Sequence, residues 1–239
     1  MPIVYQSEHT TIYHGDAADA MGTLDIESVD LLLTDPPYGV EWQSGSRATP
    51  LPFLDGDTPD DREGIAVALK AAIRVLRRAR HMYVFGPKDV LEGLDVTVPV
   101  ELIWDKQMVN GGDLRCQWGP SWEPISFATR ISDRAETEKL LGPARLRRGS
   151  VLRYQRLNSQ QVHAHPTEKP LPLLCELVES SSRPNELVLD CFAGSMSTGV
   201  AAVLRGRRAF LVESDLNYIA SGVARIKQAE AHVASAHRL

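Results

Sequence analysis

The chain has 239 residues, 43% hydrophobic and 24% charged, the balance of an ordinary globular protein with enough material for one sizeable α/β core. Its formal charge of −5 excludes a uniformly basic protein, and no apolar run approaches the roughly eighteen residues that a membrane helix requires. Three widely spaced cysteines (Cys116, Cys175 and Cys191) form no Cys-x-x-Cys pair, which argues for a reducing cytoplasm and against a zinc site or a disulfide framework.

The opening Met1-Pro2-Ile3-Val4-Tyr5-Gln6-Ser7-Glu8 lacks the basic start and long apolar core of a secretory signal. Thr10 to His14 reads as a short strand, and Asp16 to Leu24 as a loop or short helix. The run from Val29 to Thr34 reads as a buried strand that ends at Asp35-Pro36-Pro37-Tyr38. Residues 42–57, rich in Gly, Ser, Pro and Asp, are expected to form a loop over whatever site lies there. Pro59 to Arg80 reads as a helix, because Ile65, Leu69, Ala72, Ile73 and Leu76 recur every three or four residues. Its polar face carries Lys70, Arg74, Arg77, Arg78 and Arg80, expected to be mostly solvated.

Strands are predicted at His81 to Phe85, Val100 to Trp104 and Pro124 to Ala128. Residues 130–164 break the pattern: they carry Gly142-Pro143 and Gly149-Ser150 and little apolar periodicity. Between Arg130 and Arg156 stand eight basic residues (Arg130, Arg134, Lys139, Arg145, Arg147, Arg148, Arg153, Arg156) against three acids (Asp133, Glu136, Glu138), a local charge of +5. A basic segment on an acidic body suits an electrostatic footprint confined to one face. Leu171 to Ser181 then reads as a helix, Glu186 to Asp190 as a buried strand, Val200 to Leu204 as a helical segment, Phe210 to Glu213 as a strand and Asp215 to His237 as a long helix. Strands alternating with helices predict a doubly wound, mostly parallel sheet.

Two segments carry chemistry. In Asp35-Pro36-Pro37-Tyr38, a carboxylate and a proline-held carbonyl stand ready to accept two N–H groups, and an aromatic face stands beside them. That suits an exocyclic amine on a flat base, whose lone pair is delocalised until such acceptors pull the nitrogen towards tetrahedral geometry. The plain alternative is a Pro-Pro turn with a solvated aspartate, but the tetrad falls outside the carboxyl end of a strand, where open parallel sheets place their ligands. The second segment, Cys191-Phe192-Ala193-Gly194-Ser195-Met196-Ser197-Thr198-Gly199, joins a strand to a helix through small residues. Such a turn brings backbone N–H groups close to a bound cofactor. Glu213, roughly twenty residues past Asp190, ends the next strand as an acid able to accept from ribose hydroxyls.

On these residues the chain resembles the β-class of S-adenosylmethionine-dependent DNA amino-methyltransferases, in which the catalytic tetrad precedes the cofactor loop. Four other segments extend the resemblance: Tyr13-His14-Gly15-Asp16-Ala17, His165-Pro166-Thr167-Glu168-Lys169-Pro170, Trp122-Glu123-Pro124-Ile125, and Arg207 to Tyr218. It implies a Rossmann-like methyltransferase fold in permuted order, with residues 1–129 and 165–239 as the catalytic and cofactor-binding domain and residues 130–164 as a small target-recognition insertion. The implied catalytic residues are Asp35, Pro36, Pro37 and Tyr38. Those implied for S-adenosylmethionine are Asp16, Ala17, Lys169, Pro170, Asp190, Phe192, Gly194, Ser195, Thr198 and Glu213. Arg145, Arg147, Arg148, Arg153 and Arg156 are the candidates for contact with double-stranded DNA, and dimerisation is common in the family. His163 and His165 lack a nearby carboxylate or cysteine, so no metal is expected.

Several of these residues have plainer readings: Asp16 could cap a helix, Ser195 and Thr198 could do the same, and Lys169 could be solvated. Two departures stand in the loop, where Cys191 replaces the family's proline and Met196 its second glycine. Glycine there allows positive φ or close approach. A Met196 with negative φ and an inward side chain is expected to keep the pocket; otherwise cofactor affinity falls. Asp35, rather than serine, favours adenine N6 over cytosine N4. A rival enzyme on RNA or a protein amide fits less well, because such relatives usually begin the tetrad with asparagine and place the cofactor loop first. A non-catalytic DNA-binding subunit, impaired through Met196, is the rival of another class. No Pro-Cys dipeptide occurs, which disfavours attack through cytosine C5.

Overall fold

A computed structural model describes residues 3–37, 62–108, 118–131, 148–157 and 168–236. Nine strands form one sheet: β1 (Ile3–Gln6), β2 (Thr10–His14), β3 (Leu31–Thr34), β4 (His81–Phe85), β5 (Val96–Asp105), β6 (Trp122–Arg130), β7 (Val151–Arg153), β8 (Leu187–Asp190) and β9 (Arg208–Glu213). The helices are α1 (Ala17–Met21), α2 (Arg62–Val75), α3 (Leu171–Ser181), α4 (Ser197–Leu204) and α5 (Leu216–Ala236). Across the sheet the order is β1-β2-β9-β8-β3-β4-β6-β5-β7.

The core has two layers because the central strands are apolar on both faces. Leu31 and Leu33 of β3 pack with residues of α3, α4 and α5, while Leu32 packs with α1 and α2. All three leucines are fully buried. Strands β2, β9, β8, β3 and β4 run parallel, so their carboxyl ends share one edge. From β3 the chain crosses to β4 on one side, and from β8 it crosses to β9 on the other. The reversal opens a crevice between the ends of β3 and β8, the position at which such sheets bind ligands.

The far end of the sheet departs from the parallel expectation. β6 is antiparallel to both β4 and β5, whereas β7 is parallel to β5. The carboxyl ends of β5 and β7 and the amino end of β6 therefore reach the same edge as the crevice. β5 carries Pro99, which has no N–H for a ladder, and its register shifts between Thr97 and Val100. Residues 151–153, placed by composition in the basic insertion, are a sheet strand with Leu152 buried opposite Trp104.

α2 stops at Val75, short of the predicted Arg80. Leu76 instead bridges to Val29, Arg77 N donates to Val29 O at 2.9 Å, and Ala79 takes a left-handed φ of 58°. The arginines expected to be solvated are engaged here: Arg77 Nη1 lies 2.6 Å from the buried Asp30, and Arg80 bridges Asp30 at 3.3 Å and Glu186 at 2.6 Å. β1, unrecognised in the sequence, is an edge strand tied to α5, since Tyr5 and Ser7 both donate to Glu230.

Candidate active site

β3 ends where it does because Pro36 cannot donate to a ladder and keeps Asp35 extended. Asp35 Oδ2 accepts from Lys169 Nζ at 2.6 Å. Lys169 comes from the segment entering α3 and is only 8% exposed, with its Nζ 4.8 Å from the ring centre of Phe85. The same ammonium stands 3.5 Å from Glu123 Oε2 at the start of β6, and Glu123 Oε1 lies 2.8 Å from Lys106 Nζ just past β5. Burial alone would lower the Lys169 pKa, but Asp35 and Glu123 outweigh it and raise it. Burial alone would raise Glu123, yet Lys169 and Lys106 hold its carboxyl below the usual range. The result is a row of alternating charges, Asp35–Lys169–Glu123–Lys106, along the sheet edge.

Across the crevice, β8 delivers Asp190. Its Oδ1 accepts from Thr34 Oγ1 at 2.7 Å and Phe192 N at 3.1 Å. Complete burial outweighs these bonds, and Asp35 adds repulsion, so the Asp190 pKa is raised to about 6. Cys191 is buried 3.6 Å from Thr34 Oγ1, and burial pushes its thiol up to about 12, an inert side chain where the family has proline.

The loop after Asp190 is braced from two sides. Gly194, with a φ of 46°, donates its N–H to Glu213 Oε2 at 2.6 Å, and Asp215 N donates to Glu213 Oε1 at 2.8 Å. A carboxylate held by backbone amides rather than by a cation keeps its acceptor character at the end of β9. Arg225 of α5 donates to Ser195 O at 2.6 Å and to Glu168 Oε1 at 2.5 Å, and Ser197 donates to the same oxygen at 3.3 Å. Met196 adopts φ 62°, ψ 22°, the left-handed conformation a glycine would take, and is fully buried. Its side chain packs on Gly222, where an added Cβ would lie 2.1 Å from Met196 Cγ. The expected negative φ is therefore not found, while the expected inward side chain is: the backbone keeps the glycine path, and the side chain enters the core behind the loop.

The other candidates divide. Asp16 caps α1, accepting from Ala18 N at 2.7 Å and Asp19 N at 3.0 Å, beside the β9 end through Gly15 N to Glu213 O at 3.0 Å. Ala17 opens that helix and is buried, and Pro170 stands before α3. Arg148 is spent on Glu176 at 2.5 Å, whereas Arg153 is 66% exposed, 3.6 Å from Asp105, and Arg156 N donates to Lys106 O at 3.2 Å. Tyr38, Arg145, Arg147, His163, His165 and the loop 42–57 lie outside the described residues. Sequence reasoning missed Glu123, Lys106, Glu168 and Arg225 as parts of the site. Glu123 and Lys106 carried one weak signal, a charge beside the terminus of a predicted apolar strand.

A permuted parallel sheet with an acidic Pro-Pro turn and a small-residue loop facing each other across its switch point defines a nucleotide-cofactor transferase of the methyltransferase kind. A sequence profile described as DNA methylase, for the N6 and N4 amino-methylating enzymes, matches residues 29–224, and the chain belongs to that family. The chain is 26% identical to the DNA adenine methyltransferase YhdJ of Escherichia coli (strain K12), over 94% of this chain and 85% of that one. Among solved structures, M1.HpyAVI in complex with SAM superposes with a TM-score of 0.65 at 20% identity, over 91% of this chain and 98% of that one. The cytosine-N4-specific PvuII DNA methyltransferase gives 0.66 at 16% identity, over 96% and 94%. These two likenesses establish the fold.

Proposed function

We propose that the protein transfers a methyl group from S-adenosylmethionine to the exocyclic N6 amine of an adenine flipped out of double-stranded DNA. The observation that carries this is Asp35, at the carboxyl end of β3, held by a buried lysine beside the loop of residues 191–199. S-adenosylmethionine, when bound, supplies an electrophilic methyl on a sulfonium. Its fit to this chain rests on Asp16 at the cap of α1, on the acids ending β8 and β9, and on a Glu213 carboxylate steadied by loop amides. Asp16 and Glu213 would take the adenosine side, with Asp190, Phe192, Gly194, Ser195 and Thr198 around the loop.

Asp35 and the Pro36 carbonyl accept the two amine N–H groups, which frees the nitrogen lone pair for in-line attack on the methyl carbon. The sulfonium would leave as a neutral thioether, and the proton released from the amine would pass to solvent. Positioning and charge complementarity do the work, with no covalent enzyme intermediate. Tyr38 is assigned the stacking face, worth roughly 1–3 kcal/mol per base, which offsets part of the cost of flipping. Arg153 and Arg156 take the phosphate backbone at the β7 end, and Arg145 and Arg147 are assigned the same role from their basic segment of the sequence.

The test is modified-base sequencing of DNA from a methylation-free host that expresses the chain. N6-methyladenine in one fixed context is expected. N4-methylcytosine would overturn the choice of base, and unmodified DNA with folded protein present would overturn the activity. Asp35→Ala should abolish transfer while calorimetry with S-adenosylmethionine still shows binding.

A further inference from the structure

The charge row has a feature that cofactor binding does not use. Lys169 directs its ammonium at Asp35 Oδ2 (2.6 Å) and Glu123 Oε2 (3.5 Å) under the Phe85 ring. Glu123 is fixed in turn by Lys106, which is itself buried and lies 5.8 Å from the Trp104 ring centre. Removing an ammonium from water is costly unless good partners replace the solvent, and here two carboxylates from different elements do so. The four groups come from the ends of β3, β5 and β6 and from the entry to α3. They sum to zero charge, and the two carboxylates, 23% and 29% exposed in side chain, reach solvent while the two ammoniums are buried. Asp190, on the opposite wall of the crevice, also faces Asp35.

We infer that Lys169 is a positioning residue for Asp35, fixing the plane of its carboxylate towards the amine, and that Glu123, anchored by Lys106, holds Lys169 in place. The inference rests on the reading of Asp35 as the amine acceptor. It moves Lys169 from the cofactor set to the tetrad. A carboxylate free to rotate about its last bond would meet the amine in a correct orientation for only part of the time, and small errors of placement of this kind can lower a rate by about 100-fold. A lysine that only filled space would lose stability and substrate affinity together when replaced. A positioning lysine loses turnover alone.

The test measures transfer of tritiated methyl from S-adenosylmethionine into genomic DNA of a methylation-free host, using the full-length protein and the variants Lys169→Met, Lys169→Arg and Glu123→Gln. Lys169→Met is expected to lower kcat by about 100-fold and Glu123→Gln by about 10-fold, with Kd for S-adenosylmethionine and KM for DNA within about twofold of wild type. Lys169→Arg, which keeps the cation, should recover most of the lost turnover. Unchanged kcat in Lys169→Met overturns the inference. A fall in cofactor affinity that matches the fall in activity also overturns it, because Lys169 is then a cofactor ligand. If Lys169→Met does not fold, Glu123→Gln decides the matter, and wild-type kcat in that variant overturns it. Wild-type protein that binds S-adenosylmethionine yet methylates no DNA defeats the parent reading, and the inference falls with it.

Discussion

Met196 holds a left-handed backbone that costs an L-residue about 1–2 kcal/mol relative to glycine, and it keeps that conformation because its whole side chain is buried against Gly222. The two residues form a coupled pair. Gly222→Ala should destabilise the protein by about 1–3 kcal/mol in urea unfolding, since the new methyl overlaps Met196. The double variant Met196→Gly, Gly222→Ala should be more stable than the sum of the two single changes predicts. Asp190 gives a pH-dependent prediction. Its folded pKa of about 6 lies above the ordinary 3.8, so folding favours the protonated form. The stability it contributes is full below pH 3.8 and is lost as pH rises through about 6. Asp190→Asn should therefore gain stability over wild type at pH 7, and the gap should close towards pH 4 in thermal unfolding.

At the scale of elements, α5 acts as a brace for the loop of residues 191–199. Arg225 joins the Ser195 carbonyl to Glu168, a carboxylate only 8% exposed in side chain, so its guanidinium ties α5, the loop and the entry to α3 together. Arg225→Met leaves Glu168 buried without its cation and frees the loop. Affinity for S-adenosylmethionine should fall by about tenfold, equivalent to about 1.4 kcal/mol, as read by calorimetry. The helices and strands that pattern could find were found: α3 spans the residues predicted for it and β4 matches its apolar run, while β3 and β8 begin at Leu31 and Leu187, inside the runs marked from Val29 and Glu186. The end of α2 was not legible, because Leu76 continues the helical spacing but finds a better partner in Val29 of the sheet.

Over the whole molecule, charge is sorted along the sheet edge. Acids end β8 and β9 and stand just past β3 and β2, as Asp35 and Asp16, while Arg153 ends β7 and Arg156 follows it at the opposite end. A cationic cofactor and an anionic duplex would thus meet the same edge at different places. If Arg153 takes a phosphate, Arg153→Ala should reduce the slope of log K against log salt by about 0.9 in fluorescence-anisotropy titrations with duplex DNA. An unchanged slope would remove Arg153 from the interface. Arg148, grouped with it by composition, is committed to Glu176 and belongs to the packing of α3.

The sequence by itself determined the chemistry on each side of the crevice. Asp35-Pro36-Pro37 and the loop from Cys191 to Gly199 are local arrangements, set by fixed φ, missing donors and small side chains within a few residues. It also determined the mostly parallel centre of the sheet, because strands buried on both faces read as continuous apolar runs. Tertiary structure alone decided what stands against Asp35. Lys169 is 134 residues away along the chain, and Glu123 and Lys106 come from two further strands whose antiparallel pairing no local pattern disclosed. It also decided that Met196 is tolerated, since the space for its side chain is made by a glycine on another helix. Contacts between distant segments depend on the order and direction of strands across the sheet, which periodicity along one segment does not encode.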